Sequence, residues 1–245
     1  MSLRLSVCGI CDIGRKKPNN EDMVLLHDEM FRDGTKQMDL DTSGRLIIAV
    51  ADGIGGLDKG EVASEQVLTR LRGVLSQIPD DLSNEELREV FDVYAAETHQ
   101  SMSGGMGSTL AGLFVYRGKL FRYHAGDSRI YRMRRGELTR LTIDHSLRES
   151  GNQPNAPSNI ITNALGGGGS AFIEFAEIEN PFFDNDLYLL SSDGMHDLIP
   201  LDEIAKALKS WKPAKKLAAM ANKYGGKDNI SVITIKIKEK NNGLV

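Results

Sequence analysis

Arg45-Leu46-Ile47-Ile48-Ala49-Val50-Ala51-Asp52-Gly53 is a continuous apolar run closed by an Asp-Gly turn signal. It suits a buried strand. Upstream, Leu3–Cys11 and Met23–His27 also look like strands. Downstream, Lys59–Ile78 is helical, with Ala63, Val67, Leu71, Val74 and Ile78 on one face. Ser83–Gln100 is a second helix: Ser83 and Glu86 form a capping box, and Leu87, Val90, Phe91, Tyr94 and Thr98 follow at helical spacing. Strands are predicted at Ser108–Tyr116, Leu120–Gly126, Arg129–Arg134, Phe172–Ile178 and Leu187–Ser192, then short helices at Leu201–Lys209 and Ala214–Tyr224. Ile230–Ile237 closes the pattern by strict alternation. This order lacks a βαβα rhythm. Antiparallel sheets with helices packed outside fit better, which is an α+β fold.

The 245 residues, 40% hydrophobic and 26% charged, allow one sizeable core and a single domain over residues 1–245. A net charge of −4 gives no footprint for nucleic acid or anionic lipid. No apolar run is long enough for a membrane span, and the N-terminus lacks a signal-peptide core. A cytoplasmic, monomeric protein is expected. Cys8 and Cys11 form a lone C-x-x-C inside a strand, where residues three apart point to opposite faces. They read as small core or edge residues.

Acidic residues recur at strand ends beside glycine or asparagine: Glu21-Asp22, Asp52-Gly53, Gly126-Asp127, Asp193-Gly194 and Asp228-Asn229. Each alone is an ordinary turn. Together, at one rim of a sandwich, they would repel unless protonated or paired with cations. Hard oxygen ligands select Mg²⁺ or Mn²⁺ over zinc, and His27, His99, His124, His145 and His196 are scattered without zinc spacing. Such a cluster suits two-metal hydrolysis of a phosphoester.

The pieces NNED (19–22), AVADGIGG (49–56), GEVAS (60–64), MGSTL (106–110), HAGDSRIYR (124–132), DHS (144–146), ITNALGG (161–167), LLSSDGMHDLI (189–199) and GGKDNISVI (225–233) follow in order. In these the chain resembles the PP2C-type (PPM) metal-dependent serine/threonine protein phosphatases, bacterial single-domain members in particular. The resemblance implies a four-layer α-β-β-α sandwich, two antiparallel sheets flanked by helices. It implies a binuclear Mn²⁺ or Mg²⁺ centre whose bridging hydroxide hydrolyses phosphoserine and phosphothreonine in proteins. Asp52 would bridge the two cations, with the Gly53 carbonyl on one of them. Asp193 and Asp228 would hold the other. Glu21 and Asp22 match the acidic pair near the second metal, Asp127 with Asp193 a weaker third site, and Asn229 a brace for the Asp228 loop. Implied partners are phosphoproteins, a bacterial serine/threonine kinase and its targets. A catalytically weak scaffold on the same fold and a small-phosphoester hydrolase are the competing functions.

Four positions depart from the family pattern. Lys17 stands where a phosphate-binding Arg is usual, with Arg15 nearby as a substitute. Ile54 follows Asp52-Gly53 where animal members carry His. Asn163 replaces a common Arg, and the flap, about residues 144–161, is short and carries the polar run Asn152–Pro157. Other signals read as structural. Asp39–Gly44 is a solvated hairpin insert rather than a calcium loop. Leu165–Ser170 is a flexible turn and Met102–Met106 a linker. Arg132, Arg134 and Arg135 sit at a solvated hairpin tip.

Overall fold

The computed structural model describes residues 3–55, 59–102, 105–149, 160–167 and 171–239. The expected flap run Asn152–Pro157, the end of the glycine turn at 168–170, and Ser103 and Gly104 of the linker lie outside these residues.

In chain order the elements are β1 (Leu3–Asp12), β2 (Asp22–Leu26), β3 (Glu29–Phe31), β4 (Gly34–Asp41), β5 (Leu46–Ile54), α1 (Gly60–Gln77), α2 (Asn84–Ser101), β6 (Gly107–Ser108), β7 (Leu110–Tyr116), β8 (Lys119–Ala125), β9 (Arg129–Arg134), β10 (Glu137–Arg140), β11 (Leu165–Gly166), β12 (Glu174–Glu177), β13 (Leu187–Ser191), α3 (Asp193–His196), α4 (Leu201–Leu208), α5 (Pro213–Lys223) and β14 (Ile230–Glu239). They form two antiparallel sheets. One runs β10-β9-β13-β14-β1-β4. The other runs β11-β6-β5-β7-β8-β12, with β2 on β5 and β3 on β2.

Three separate apolar cores follow from alternation along β5 and β14. Ile47, Ala49 and Ala51 face α1 and α2, packing on Val67, Leu71 and Phe91. Leu46, Ile48 and Val50 face the other way and meet Ile233, Ile235 and Ile237 of β14 between the sheets. Ile230 and Val232 point out of that middle layer onto α3, α4 and α5. Three cores make four layers, α-β-β-α. The strand at Arg45–Gly53 is unbroken in hydrophobicity because both of its faces are buried. Cys11 lies in the middle core and Cys8 on the opposite, helix-side face, and both are free thiols. The capping box of α2 is formed: Glu86 N–H donates to Ser83 Oγ at 3.2 Å, and Ser83 N–H to Glu86 Oε2 at 2.8 Å.

The structure corrects three structural readings. Asp39 belongs to β4, an edge strand paired with β1, not to a solvated insert. Leu165-Gly166 is not free turn: it pairs with Gly107-Ser108, and Leu165 is buried. Arg134 leaves the solvated tip to make a bidentate ion pair with buried Asp186, 3.0 and 2.6 Å to Oδ2, and covers the Phe183 ring.

Candidate metal centre

The site is built at the ends of β5 and β2. These strands are antiparallel, so the end of one lies beside the start of the other, and Asp22 and Asp52 are direct cross-strand partners. Two like charges in that position destabilise a sheet unless something neutralises them. The Asp52 backbone and the Asp22 carboxylate are each held in place. Asp52 N–H donates to Thr109 Oγ1 at 3.1 Å, and its carbonyl accepts from Thr109 N–H at 2.9 Å and Ser108 Oγ at 3.0 Å. Asp22 is fully buried and accepts from Ser192 Oγ at 2.7 Å. Thr109 breaks the strand expected over Ser108–Tyr116 into β6 and β7, and the break supplies the Asp52 clamp.

Gly53 sits beside the cluster, and chain packing alone requires a glycine there. A Cβ there would lie 2.1 Å from the Gly60 carbonyl oxygen and 2.7 Å from that of Glu21. Close packing of chain on chain forbids a side chain. The Glu21 side chain itself fills the space in front of Gly60 at the start of α1.

The second half comes from the other sheet. β13 ends at Ser191, Ser192 follows, and Asp193 opens α3. A Cβ on Gly194 would meet the Asn229 carbonyl at 1.9 Å, so the glycine lets the start of α3 close on the Asp228 loop. Asn229 ties the Asp228 loop to both ends of the β1–β2 loop. Its Oδ1 accepts from Glu21 N–H at 2.8 Å, while its Nδ2 donates to the carbonyls of Ile13 at 2.9 Å and Asn19 at 3.0 Å. Lys17, about one-third exposed, places Nζ 2.7 Å from Asp228 Oδ1. Asp127, on the loop after β8, is buried.

Asp22, Asp52, Asp127, Asp193 and Asp228 therefore converge, with Glu21 and Lys17 at the edge. The electrostatics are those of an acid cluster whose countercharge, Lys17, is too little to balance it. Burial, then Asp22, Asp193, Asp127 and Asp228, hold the Asp52 carboxyl well above the usual carboxylate range. Burial pushes Asp22 to about 7, with Asp193 and Asp228 adding to it against the hydrogen bond from Ser192. Burial and Asp193 raise Asp127 to about 7. Burial, Asp228 and Asp197 raise Asp193 to about 6. Burial also raises Glu21, with Lys17 opposing. For Lys17, burial favours the neutral amine, but Asp228, Glu21 and Asp52 outweigh it and raise its pKa.

Oδ1 of Asp22 and Oδ1 of Asp193 are buried without a hydrogen-bond partner among the described residues. Orphaned carboxylate oxygens facing other carboxylates fit a cation rather than a protein donor. The donor set is all oxygen and suits Mg²⁺ or Mn²⁺.

The roles of several supporting residues escaped the sequence reading. Arg32 donates through one guanidinium nitrogen to the carbonyls of Asn20 at 2.9 Å and Asp22 at 3.0 Å, and through the other to that of Glu61 at 2.7 Å. It fixes the start of β2 to α1. Arg129, two residues after Asp127, grips buried Asp144 in a bidentate pair, 2.9 Å to Oδ1 and 2.6 Å to Oδ2. Asn163 closes the base of the flap. Its amide donates to His145 Nδ1 at 2.7 Å and the Phe172 carbonyl at 2.9 Å, and its Oδ1 accepts from Phe172 N–H at 3.1 Å.

The histidines are less scattered than the sequence suggests. His124 and His145 stack at 4.5 Å, and each places Nε2 3.7 Å from Glu174 Oε2. This trio has the spacing of a metal site but not its protonation. The Ile143 carbonyl, 3.0 Å from His124 Nε2, can only accept. His145 Nδ1 accepts from Gly126 N–H. Both Nε2 atoms therefore carry protons. Burial lowers the pKa of both rings, His124 to about 4, so they are neutral. Arg122 already holds Glu174 at 2.8 Å. The trio is a clamp between β8, β12 and the flap root.

Comparisons with known proteins place the chain in a family. A family profile described as "Protein phosphatase 2C" matches residues 26–230. The serine/threonine phosphatase stp of Listeria welshimeri is 32% identical over 77% of this chain and 83% of its own length. The protein phosphatase PhpP of Streptococcus pneumoniae is 30% identical over 94% of this chain and 97% of its own. Among solved structures, the S. agalactiae serine/threonine phosphatase superposes with a TM-score of 0.80 at 26% identity, over 95% of this chain and 99% of that one. The catalytic domain of the phosphatase PstP, solved in complex with two manganese ions, superposes with a TM-score of 0.74 at 26% identity, over 98% of this chain and all of that one. The chain belongs to the protein phosphatase 2C family of enzymes.

Proposed function

We propose that the chain hydrolyses phosphoserine and phosphothreonine in proteins at a binuclear Mn²⁺ or Mg²⁺ centre. The observation that carries this reading is the convergence of five aspartates with two buried carboxylate oxygens, on Asp22 and Asp193, that have no partner among the described residues. Asp52 would be a ligand of both cations and the Gly53 carbonyl of one. Asp193 and Asp228 would complete one site, Glu21 and Asp22 the other, and Asp127 with Asp193 a weaker third. The manganese ions of the PstP neighbour support a divalent centre. When bound, such cations supply Lewis acidity to the phosphoryl group and acidify the attacking water.

The chain's own residues set the stage for that chemistry. Thr109 and Ser192 lock the rotation of the Asp52 backbone and the Asp22 carboxylate, so the ligands need no reorganisation when charge develops. Asn229 holds the Glu21 and Asp228 loops in one frame. Lys17 brings one compact positive charge to the edge of the cluster, placed to anchor a phosphoryl oxygen, and no rigid fork to grip two. The proposed partners are phosphoproteins, a bacterial serine/threonine kinase and its targets, met by a monomeric protein in the cytoplasm. Among the described residues no helix is long and apolar enough to cross a membrane.

The test is hydrolysis of a phosphothreonine peptide with Mn²⁺, Mg²⁺ or excess EDTA. Activity should require metal and return when metal is restored. Undiminished turnover in EDTA would overturn the proposal.

A further inference from the structure

The acidic centre occupies one end of the sandwich. The other end carries the opposite charge. Where α4 and α5 stop covering the six-stranded sheet, its outer face is left open as a groove, with Cys8 and Thr234 on its floor. Arg135, Lys209, Lys212, Lys236, Lys238 and Trp211 line it. On a chain of net charge −4, five cations in one groove are a concentration that needs a reason. None of the five has an ion-pair partner among the described residues. The acidic side chain in the lining, Asp39, already faces Arg4 at 3.9 Å.

The groove is not purely electrostatic. Trp211 is the chain's single tryptophan and is 92% exposed. Trp is enriched among residues that anchor protein interfaces, and this one stands among cations in a groove rather than alone on a flat surface. Met133 and Leu187 add apolar surface to the same lining. Cations around an aromatic anchor fit an acidic chain carrying an apolar side chain.

We propose that this groove docks an extended acidic segment of the phosphoprotein substrate, at a distance from the residue being dephosphorylated. The identity of the docked protein as a substrate rests on the phosphatase reading; the binding itself does not. β14 connects the two places. Ile230 follows the Asp228 loop and Lys236 lies in the groove, which at about 3.3 Å per residue separates them by roughly 20 Å. A substrate engaging both would present the acidic segment from beyond that span, and the second contact would be intramolecular, raising its effective concentration at the centre. A protein segment is favoured over nucleic acid because the rest of the surface is net acidic and repels a polyanion that runs past the groove.

Trp211 supplies the measurement. The full chain is titrated with a short synthetic peptide of Asp and Glu with one central Leu, following tryptophan emission and acrylamide quenching. The expected result is a blue shift and loss of quenching that weaken with salt. The triple variant Lys209→Glu, Lys212→Glu, Lys236→Glu should weaken binding at least about tenfold. It should lower kcat/KM severalfold on a phosphothreonine peptide extended by the acidic segment, and leave aryl phosphate hydrolysis and melting temperature unchanged. No emission change with the peptide, or a change that survives the triple reversal, would overturn the inference. So would an equal change with a single-stranded oligonucleotide or with anionic phospholipid vesicles, because the groove would then read charge alone. Loss of all aryl phosphate hydrolysis in the unaltered chain would instead strike the phosphatase reading and leave the docking result standing.

Discussion

Asp22→Asn should stabilise the protein without metal and remove the stability that metal confers. Asp22 is fully buried, with one carboxylate oxygen held by Ser192 and the other partnerless. Its pKa is pushed from 3.8 to about 7, chiefly by burial. A group whose folded pKa is raised binds its proton more tightly in the native state. Stability is therefore full below about pH 4 and is lost progressively as pH rises towards 7. At about 1.36 kcal/mol per pKa unit the ceiling on that loss is about 4 kcal/mol. Repulsion shared with Asp52 and Asp193 belongs to the cluster rather than to one residue, so about 2 kcal/mol is a sounder expectation for a single substitution. Asparagine keeps the acceptor for Ser192 and turns an NH₂ group towards neighbouring carboxylates, which can accept.

For a chain of this size, about 2 kcal/mol is roughly 4–8 °C in melting temperature. The assay is thermal unfolding in EDTA from pH 4 to pH 8, wild type against Asp22→Asn, then the same with excess Mn²⁺. The variant should gain at pH 8 and show no advantage at pH 4. With Mn²⁺ the order should reverse. If the variant melts below wild type in EDTA at pH 8, or its advantage is independent of pH, Asp22 is not the strained acid described above.

Other outcomes follow from the same site. Excess Mn²⁺ at 100 times its Kd should stabilise the wild type by about 2.7 kcal/mol, seen as a rise in melting temperature, and a melting curve indifferent to Mn²⁺ and EDTA would count against the centre. Asp193→Asn should lower turnover on aryl phosphates by about three orders of magnitude with the circular dichroism spectrum intact, while Asp39→Asn, on the edge strand β4, should leave turnover alone. Asp144→Ala strands the Arg129 guanidinium and should cost about 3–5 kcal/mol in denaturant unfolding, whereas Arg129→Met with Asp144→Leu should recover much of it. Lys17→Ala should raise KM for a phosphopeptide and Arg15→Ala should not; the reverse pattern would give the phosphate to Arg15.

What could be read from the sequence divides along physical lines. β5 was legible because burial on two faces leaves no polar position in the run. β14 was legible because Ile233, Ile235 and Ile237 alternate against a polar set. The edge strand β4, Gly34-Thr35-Lys36-Gln37-Met38-Asp39-Leu40-Asp41, was not. Only Met38 and Leu40 pack on the middle core, and both are partly exposed. A polar edge strand looks like a loop until β1 pairs with it. β10 is four residues long and hidden for the same reason.

The aspartates were conspicuous because acids at strand ends beside glycine are chemically odd in numbers, and spacing does not matter to that judgement. Their supports carry no such mark. Arg32 acts through carbonyls at positions 20, 22 and 61, and an arginine on a strand-to-strand turn otherwise reads as solvated. His124 and His145 lie on different elements and meet only when β8 and the flap root are brought together. Gly53 is the instructive case. The resemblance puts a cation on its carbonyl, which calls for close approach of the backbone to an ion; the structure shows a second, separate constraint, the Gly60 carbonyl. The two reasons differ in consequence. Gly53→Ala would push α1 away from Glu21 before it touched a cation, so it should lower the melting temperature in EDTA as much as in Mn²⁺. A loss confined to the metal-loaded protein would restore the ion as the cause.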